Sequence, residues 1–449
     1  MKGHISMDFP KSFLWGCATS SHQVEGENTN NNWWQWEHIP GKIWHSDKSG
    51  YACGWWRSMD EDISFMKQMN NNTHRMSIEW SRIEPEEGEF DEGAINRYKE
   101  MISSLKDKGI EPMVTLHHFT NPVWFEDKGA WINKDSVRYF KRYVSFVIER
   151  LGKDITLWCT INEPAVYAVE TYIMCSAPPG RLSLISYFRS LFNLLDAHMA
   201  AYGIIKRDNP TSQVGIVKNY QLFDTWDEGS LWDKLISENL DKYFNSIVLE
   251  PFRSGELPFF FPWHREGIKR LKGATDFIGL NYYTRWRVRS KLGSPKVMLD
   301  NIFNCTPGAQ VSDFIRDNHP YGEIYPEGLY RALKIVSALG KPIYITENGL
   351  PDADDSKRPG FLLTHLKQVA KAMKDGMDIR GYYHWSLTDN FEWAEGWALR
   401  FGLVDFDHKT GERHMRDSGK LYGDIAAKGR ITRDMVEEYA PELLPAYFD

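Results

Sequence analysis

Cysteine is scarce in this sequence. The 449 residues hold 5, at Cys17, Cys53, Cys159, Cys175 and Cys305, and no two are spaced as CxxC. Thiols so few and so scattered build no disulfide framework, and reduced cysteines in the cytoplasm are the expectation. No apolar stretch approaches the ~20 residues of a membrane helix. The segment Met1 to Trp15 carries His4, Asp8, Pro10 and Lys11, where an export signal needs an apolar core of about 7–15 residues. Neither membrane insertion nor secretion is therefore expected, and the sequons at Asn71 and Asn304 read as chance matches. A strong excess of one charge is missing too. The 54 Lys and Arg against 61 Asp and Glu give a formal net charge of −7, which argues against nucleic acid or anionic membrane as a partner. The short basic cluster of Arg285, Arg287 and Arg289 reads as a solvated face.

Several catalytic signatures are also absent. Gly16-Cys17-Ala18-Thr19 does not supply GxGxxG, and there is neither HExxH nor a GxxxxGK[ST] loop. Ser20-Ser21 lack a nucleophile elbow. No cofactor and no metal is expected. No Pro/Ser/Gly linker, low-complexity tract or repeat of about 20–50 residues divides the chain, so residues 1–449 read as one domain.

What is present starts with aromatics: 18 tryptophans within 14% aromatic residues. Flat pyranose C–H faces pack on aromatic rings, so the excess fits carbohydrate handling, and it fits a Trp-rich core equally well. Eight compact apolar runs recur: Phe13–Thr19, Thr73–Ile78, Pro112–His117, Leu157–Asn162, Val214–Asn219, Phe277–Tyr282, Pro342–Glu347 and Gly381–Trp385. Continuous rather than alternating hydrophobicity suits parallel strands buried on both faces. Amphipathic segments lie between them. In Asp135–Leu151, Val137, Phe140, Val144, Val147 and Leu151 fall at three-and-four spacing, with Gly152 just beyond as a helix stop. Similar patterns cover Ile95–Lys108, Ser186–Lys206, Glu327–Leu339 and Leu362–Asp375. Eight strands alternating with helices predict an α/β fold, a (β/α)8 TIM barrel, over a doubly wound open sheet.

A barrel places its chemistry at the C-terminal ends of its strands. There the sequence sets Gln23, Arg75, His117-His118, Asn162-Glu163, Asn219, Asn281 with Tyr283, Glu347-Asn348, and Trp385 with Glu392 and Trp393. One strand-end glutamate alone is more simply a salt bridge. Glu163 and Glu347, on the fourth and seventh runs, would face each other across the mouth. Such a pair is what glycoside cleavage needs, one carboxyl to protonate the leaving oxygen and the other to attack or stabilise the anomeric carbon. Of His117-His118, adjacent strand residues, only one can face the site, and His118 is read as a sugar ligand. Lys218 is a weak candidate for a lysine-dependent isomerase or aldolase.

Thr160-Ile161-Asn162-Glu163-Pro164 and Ile345-Thr346-Glu347-Asn348-Gly349 resemble the two catalytic signatures of family 1 glycoside hydrolases. So do the blocks Phe13–Ser21, Gln23–Gly26, His74–Arg82, Asp389–Trp393 and Arg400–Val404, in order across almost the whole chain. The resemblance implies a retaining β-glycosidase acting on a small-molecule β-glycoside or oligosaccharide, with Glu163 as acid and base and Glu347 as nucleophile. It implies Arg75 and Tyr283 beside Glu347, leaving Glu163 without a cation and with a raised pKa. Asn162 would bond the sugar 2-hydroxyl. Gln23, His118, Phe119, Asn162, Trp385, Glu392 and Trp393 would bind the sugar, and a carboxylate at Glu392 would disfavour a 6-phosphate. Three positions depart from the family pattern, each with a smaller side chain in place of Trp: Phe119, Ala165 and Gly322, the last beside Tyr321. They predict a roomier leaving-group side and overlapping activity on glucosides and on galactosides or fucosides. A binding-only protein on the same barrel would not need Glu163, Glu347, Arg75 and Tyr283 together.

Overall fold

A computed structural model describes residues 7–260, 265–290, 305–316 and 318–448. Asn304 and the first six residues of the N-terminal stretch, His4 included, lie outside them. Eight parallel strands close into a barrel. We number them β1 (Leu14–Ala18), β2 (Thr73–Ser77), β3 (Glu111–His117), β4 (Leu157–Asn162), β5 (Gln213–Asn219), β6 (Phe277–Asn281), β7 (Ile343–Asn348) and β8 (Ile379–Trp385). Each pairs with the next in sequence, and β8 closes on β1 with Gly381 opposite Leu14 and Trp385 opposite Ala18. All eight coincide with the apolar runs, and the fold is the (β/α)8 barrel.

Continuous apolar runs become strands here because both faces are covered. Inside the barrel, Met113, Leu157, Cys159, Val217, Phe277, Tyr344 and Tyr383 pack as one cluster, with the Phe277 and Tyr344 rings edge-on at 4.9 Å. Truncating such a buried ring costs about 3–5 kcal/mol. Outside it, the helices Glu92–Asp107, Ser136–Leu151, Leu184–Asp208, Pro326–Ser337, Arg358–Lys374 and Asp417–Lys428 bury one face each against the strands. Local signals set their ends. Asp91 accepts from the Ala94 backbone N–H, and Ser183 from that of Ser186, which satisfies donors that a helix start leaves orphaned.

Gly152 does follow Leu151, although not as the left-handed stop its position suggested. Its φ is −59°, and a Cβ there would lie 2.5 Å from the Ile148 carbonyl oxygen. The glycine answers a close approach rather than a turn. Most tryptophans prove to be core: Trp80 packs against Trp124, Phe125, Trp131, Phe140 and Tyr143. Asn71 is buried. Arg285 is no solvated face either, because it is half-buried between Asp224 and Glu323. The cysteines are unpaired. Among the described residues no helix is long and apolar enough to cross a membrane.

Candidate active site

The C-terminal mouth of the barrel gathers the polar strand ends into one cluster. Arg75 on β2 points inward, fully buried, and each of its three nitrogens donates: Nη1 to Glu347 Oε1 at 2.5 Å, Nη2 to Asn162 Oδ1 at 2.7 Å and Nε to Thr115 Oγ1 at 3.2 Å. Tyr283, two residues beyond β6, donates its hydroxyl to the other Glu347 oxygen at 2.6 Å. Both oxygens of Glu347 are thus held by donors, one of them cationic, and such charge-assisted bonds are the strong ones.

Glu163 is built differently. It follows the last residue of β4 with φ 46° and ψ 60°, in the left-handed region, as the N-cap of the helix Pro164–Val169. Such a conformation costs a non-glycine residue about 1–3 kcal/mol and persists only where its surroundings impose it. Here Pro164 opens the helix immediately, and the Glu163 N–H is tied to the Val217 carbonyl at 2.9 Å. Its carboxyl accepts from Asn281 Nδ2 at 2.7 Å, and the Asn281 oxygen in turn accepts from Thr346 Oγ1 at 2.6 Å. Phe119 and Trp393 also have positive φ, 73° and 51°, so left-handed non-glycine backbone recurs around this mouth.

The electrostatics follow from these contacts. Burial and the negative charge of Glu347 push Glu163 well above the ordinary carboxylate range, with Asn281, Lys218 and Asn219 opposing. Burial also raises Glu347, but Arg75, Tyr283 and Asn281 pull it back, so it remains the more acidic of the two. The expectation that Glu163 has no cation nearby needs correcting. Lys218 points out of the barrel on β5, buried over the Phe244 ring at 4.2 Å, yet its charge still reaches Glu163. Burial lowers Lys218 itself to about 7.

The remaining candidates line the same pocket. Asn162 Nδ2 lies 3.2 Å from His118 Nε2. The Asn162 oxygen is taken by Arg75, so His118 Nε2 accepts and the proton sits on Nδ1, which has no partner among the described residues. Burial and the Arg75 charge keep His118 neutral. His117 turns the other way, to Asn121 and Trp131. Gln23 accepts from Ser20 and donates to Asn390, the Phe391 carbonyl and Glu392. Trp385 Nε1 donates to Glu392 at 3.4 Å, and the His118 ring stacks near both Trp385 and Trp393. Phe119 sits edge-on to Trp393 at 5.3 Å. Loss of solvent around half-buried Glu392, with the charges of Glu347 and Glu163, pushes it up to about 8.

Two of the three departures do not open space. Ala165 is 1% exposed within the packed core. A Cβ on Gly322 would lie 2.4 Å from Thr284 Oγ1. The expected roominess at 165 and 322 is therefore not what the packing provides: Ala165 lies in the core, and Thr284 stands where a side chain at 322 would go. Sequence reasoning also left Asn281 without a role, although its place at a strand end marked it. It left Thr115, Asn390 and Thr346 unnamed as supports, and nothing in the sequence alone identifies such second contacts.

The comparisons with known proteins agree with this fold. The chain is 32% identical over 456 residues to a 1,4-β-D-glucan glucohydrolase of Thermotoga neapolitana, covering 94% of this chain and 99% of that one. A solved β-glycosidase from Pyrococcus horikoshii is 38% identical, with TM-score 0.86 over 97% of this chain and 98% of that one. The β-glucosidase from Thermotoga maritima in complex with glucoimidazole is 30% identical, with TM-score 0.88 over 95% and 100%. The family model for Glycosyl hydrolase family 1 matches residues 5–430. With an eight-stranded barrel carrying two unlike carboxyls at its mouth and relatives matched almost end to end, the chain belongs to glycosyl hydrolase family 1 and is a glycoside hydrolase.

Proposed function

We propose that the enzyme hydrolyses terminal, non-phosphorylated β-D-glycosides with retention, glucosides first and galactosides or fucosides also. The observation that carries this reading is the inequality of the two glutamates. Glu347, bonded by Arg75 and Tyr283, is the carboxylate that attacks the anomeric carbon, while Glu163, buried beside that charge, gives its proton to the departing oxygen. A glycosyl ester on Glu347 results. Glu163, now ionised, takes a proton from water as the water oxygen bonds the anomeric carbon and the ester bond breaks. The sugar leaves in the β configuration and both carboxyls return to their starting states.

Asn162 would bond the 2-hydroxyl, a role supported by Arg75 and His118, which hold its amide. Gln23, His118 and Glu392 meet the outer hydroxyls over a floor formed by Trp385, with Phe119 and Trp393 packed beside them. A sugar 6-phosphate would bring negative charge beside ionised Glu347, and Arg75 is already committed to Glu347 and Asn162. That favours neutral sugars. Proton NMR of the first minutes of aryl β-glucoside hydrolysis should show β-glucose before mutarotation. Initial release of α-glucose would overturn the retaining assignment.

A further inference from the structure

We propose that Tyr321 determines leaving-group specificity, its phenol hydroxyl bonding a hydroxyl of a departing sugar, so that β-linked glucose disaccharides are favoured relative to bare aryl glycosides. This rests on the glycosidase reading above and names the group that lies beyond the cleaved bond.

The loop that carries Tyr321 is pinned on both sides. Ser312 N donates to the Gly322 carbonyl at 3.0 Å, Tyr321 N to the Asp313 carbonyl at 2.9 Å, and Gly322 N to Ser312 Oγ at 2.9 Å. Gly322 is pressed flush on Thr284, whose hydroxyl donates to the Glu323 carbonyl at 2.8 Å. With no side chain at 322 and no room for one, Tyr321 is the residue this loop presents to the pocket. Its ring stands edge-on to Tyr283 at 5.9 Å and to Phe401 at 5.4 Å. Two perpendicular contacts fix an aromatic plane, and Tyr283 is the donor to Glu347.

The hydroxyl of Tyr321 makes no hydrogen bond to the protein among the described residues. The charges that act on it belong to Glu392, Glu163, Glu347 and Glu170, so it looks across the mouth rather than into the core. The hydroxyls of the retained sugar are already provided for by Gln23, His118, Asn162 and Glu392. A further donor on a ring packed against Tyr283, which itself holds the nucleophile Glu347, is left to serve what departs. A sugar leaving group carries hydroxyls to meet it, and an aryl group does not.

The test is the ratio of kcat/KM for glucose disaccharides, β-1,3- and β-1,4-linked, to that for an aryl β-glucoside. In Tyr321→Phe, which keeps the ring against Tyr283 and Phe401, this ratio should fall about three- to tenfold, the scale of one lost neutral hydrogen bond. A second arm uses the reverse approach. When the glycosyl ester on Glu347 is transferred, the acceptor oxygen bonds the anomeric carbon, the ester bond breaks and the acceptor proton goes to Glu163. The variant should therefore transfer less to added glucose, relative to methanol, than the wild type. An equal fall for both substrate classes, an unchanged ratio, or a wild type that cleaves aryl glucosides but no disaccharide would overturn the proposal. A wild type that cleaves no β-glucoside at all would instead remove the glycosidase reading beneath it.

Discussion

The ends of β4 and β7 carry the same side chain at opposite sides of one mouth, and the two glutamates end up chemically unlike. At β7 the carboxylate is gripped by a guanidinium from β2 at 2.5 Å and a phenol from beyond β6 at 2.6 Å. At β4 the carboxyl receives an amide N–H at 2.7 Å, sits on left-handed backbone, and feels the charge of Lys218 from the outer side of β5. The difference in partners lies neither in the glutamate nor in its immediate sequence neighbours. A closed barrel lets one strand end draw partners from two others, and that is where acid and nucleophile part.

The largest break in this comparison is removal of the nucleophile. Glu347→Gly should lower kcat at least about 10⁴-fold, and added azide should restore turnover with an α-glycosyl azide as product. Removing the acid is the milder break. Glu163→Ala should cost about 10²–10⁴-fold for poor leaving groups and far less for a dinitrophenyl glucoside, which needs no proton. Azide should there yield the β-azide. Exchange of the two azide products between the variants would show that the roles are reversed.

Smaller changes sharpen the comparison through pH. Activity needs Glu347 ionised, so the acid limb rises as pH climbs through its pKa; it needs Glu163 protonated, so the basic limb falls as pH climbs through the higher one. Tyr283 donates to the charged form of Glu347. Tyr283→Phe should therefore raise that pKa and move the acid limb up by about one pH unit. Asn281 contacts Glu163 and also pulls on Glu347, so Asn281→Ala should move both limbs upward. In kcat/KM profiles, a Tyr283→Phe variant whose basic limb alone moves would contradict the pairing of Tyr283 with Glu347.

Much of this was legible in the chain itself. The eight apolar runs lie within a residue or two of the eight strands, because burial on both faces leaves little freedom in their composition. Placing chemistry at strand ends then brought Gln23, Arg75, His118, Glu163, Glu347 and Trp385 to one mouth. Less legible was whatever depends on how distant segments pack. The parallel pair Leu222–Thr225 and Arg285–Val288 lies outside the barrel, and short segments without a continuous apolar run give no periodic signal. Lys218 looks like a strand-end lysine in sequence, yet alternation along β5 turns it out of the barrel and under Phe244. Ala165 and Gly322 suggested space because a missing side chain is visible in a sequence, whereas Thr284 filling the gap is not. An indole at either place would overpack the site, at about 1–3 kcal/mol or more.

Phe119 is the departure that remains open to the sugar, and it carries the smallest expected effect. It follows His118 on left-handed backbone, φ 73°, with its ring edge-on to Trp393 at 5.3 Å. That contact fixes the ring but offers a substrate no polar donor, whereas an indole at 119 would add one N–H. Glucosides and galactosides differ in the direction of one hydroxyl. The groups that remain, Gln23, His118 and Glu392, are linked by bonds that are not all made to one sugar geometry: Gln23 already donates to Asn390 and to the Phe391 carbonyl. Without a donor at 119, both sugars meet the same gap. A neutral hydrogen bond contributes about 0.5–1.5 kcal/mol net, so its absence should narrow the glucoside-to-galactoside ratio of kcat/KM by about two- to tenfold, and Phe119→Trp should widen it by a similar factor. The variant keeps an aromatic ring against Trp393, so a change in the ratio would report the added donor rather than lost packing. A wild type that prefers glucosides a thousandfold or more would show that discrimination rests on Gln23, His118 and Glu392 alone, and Phe119 would then have no part in it.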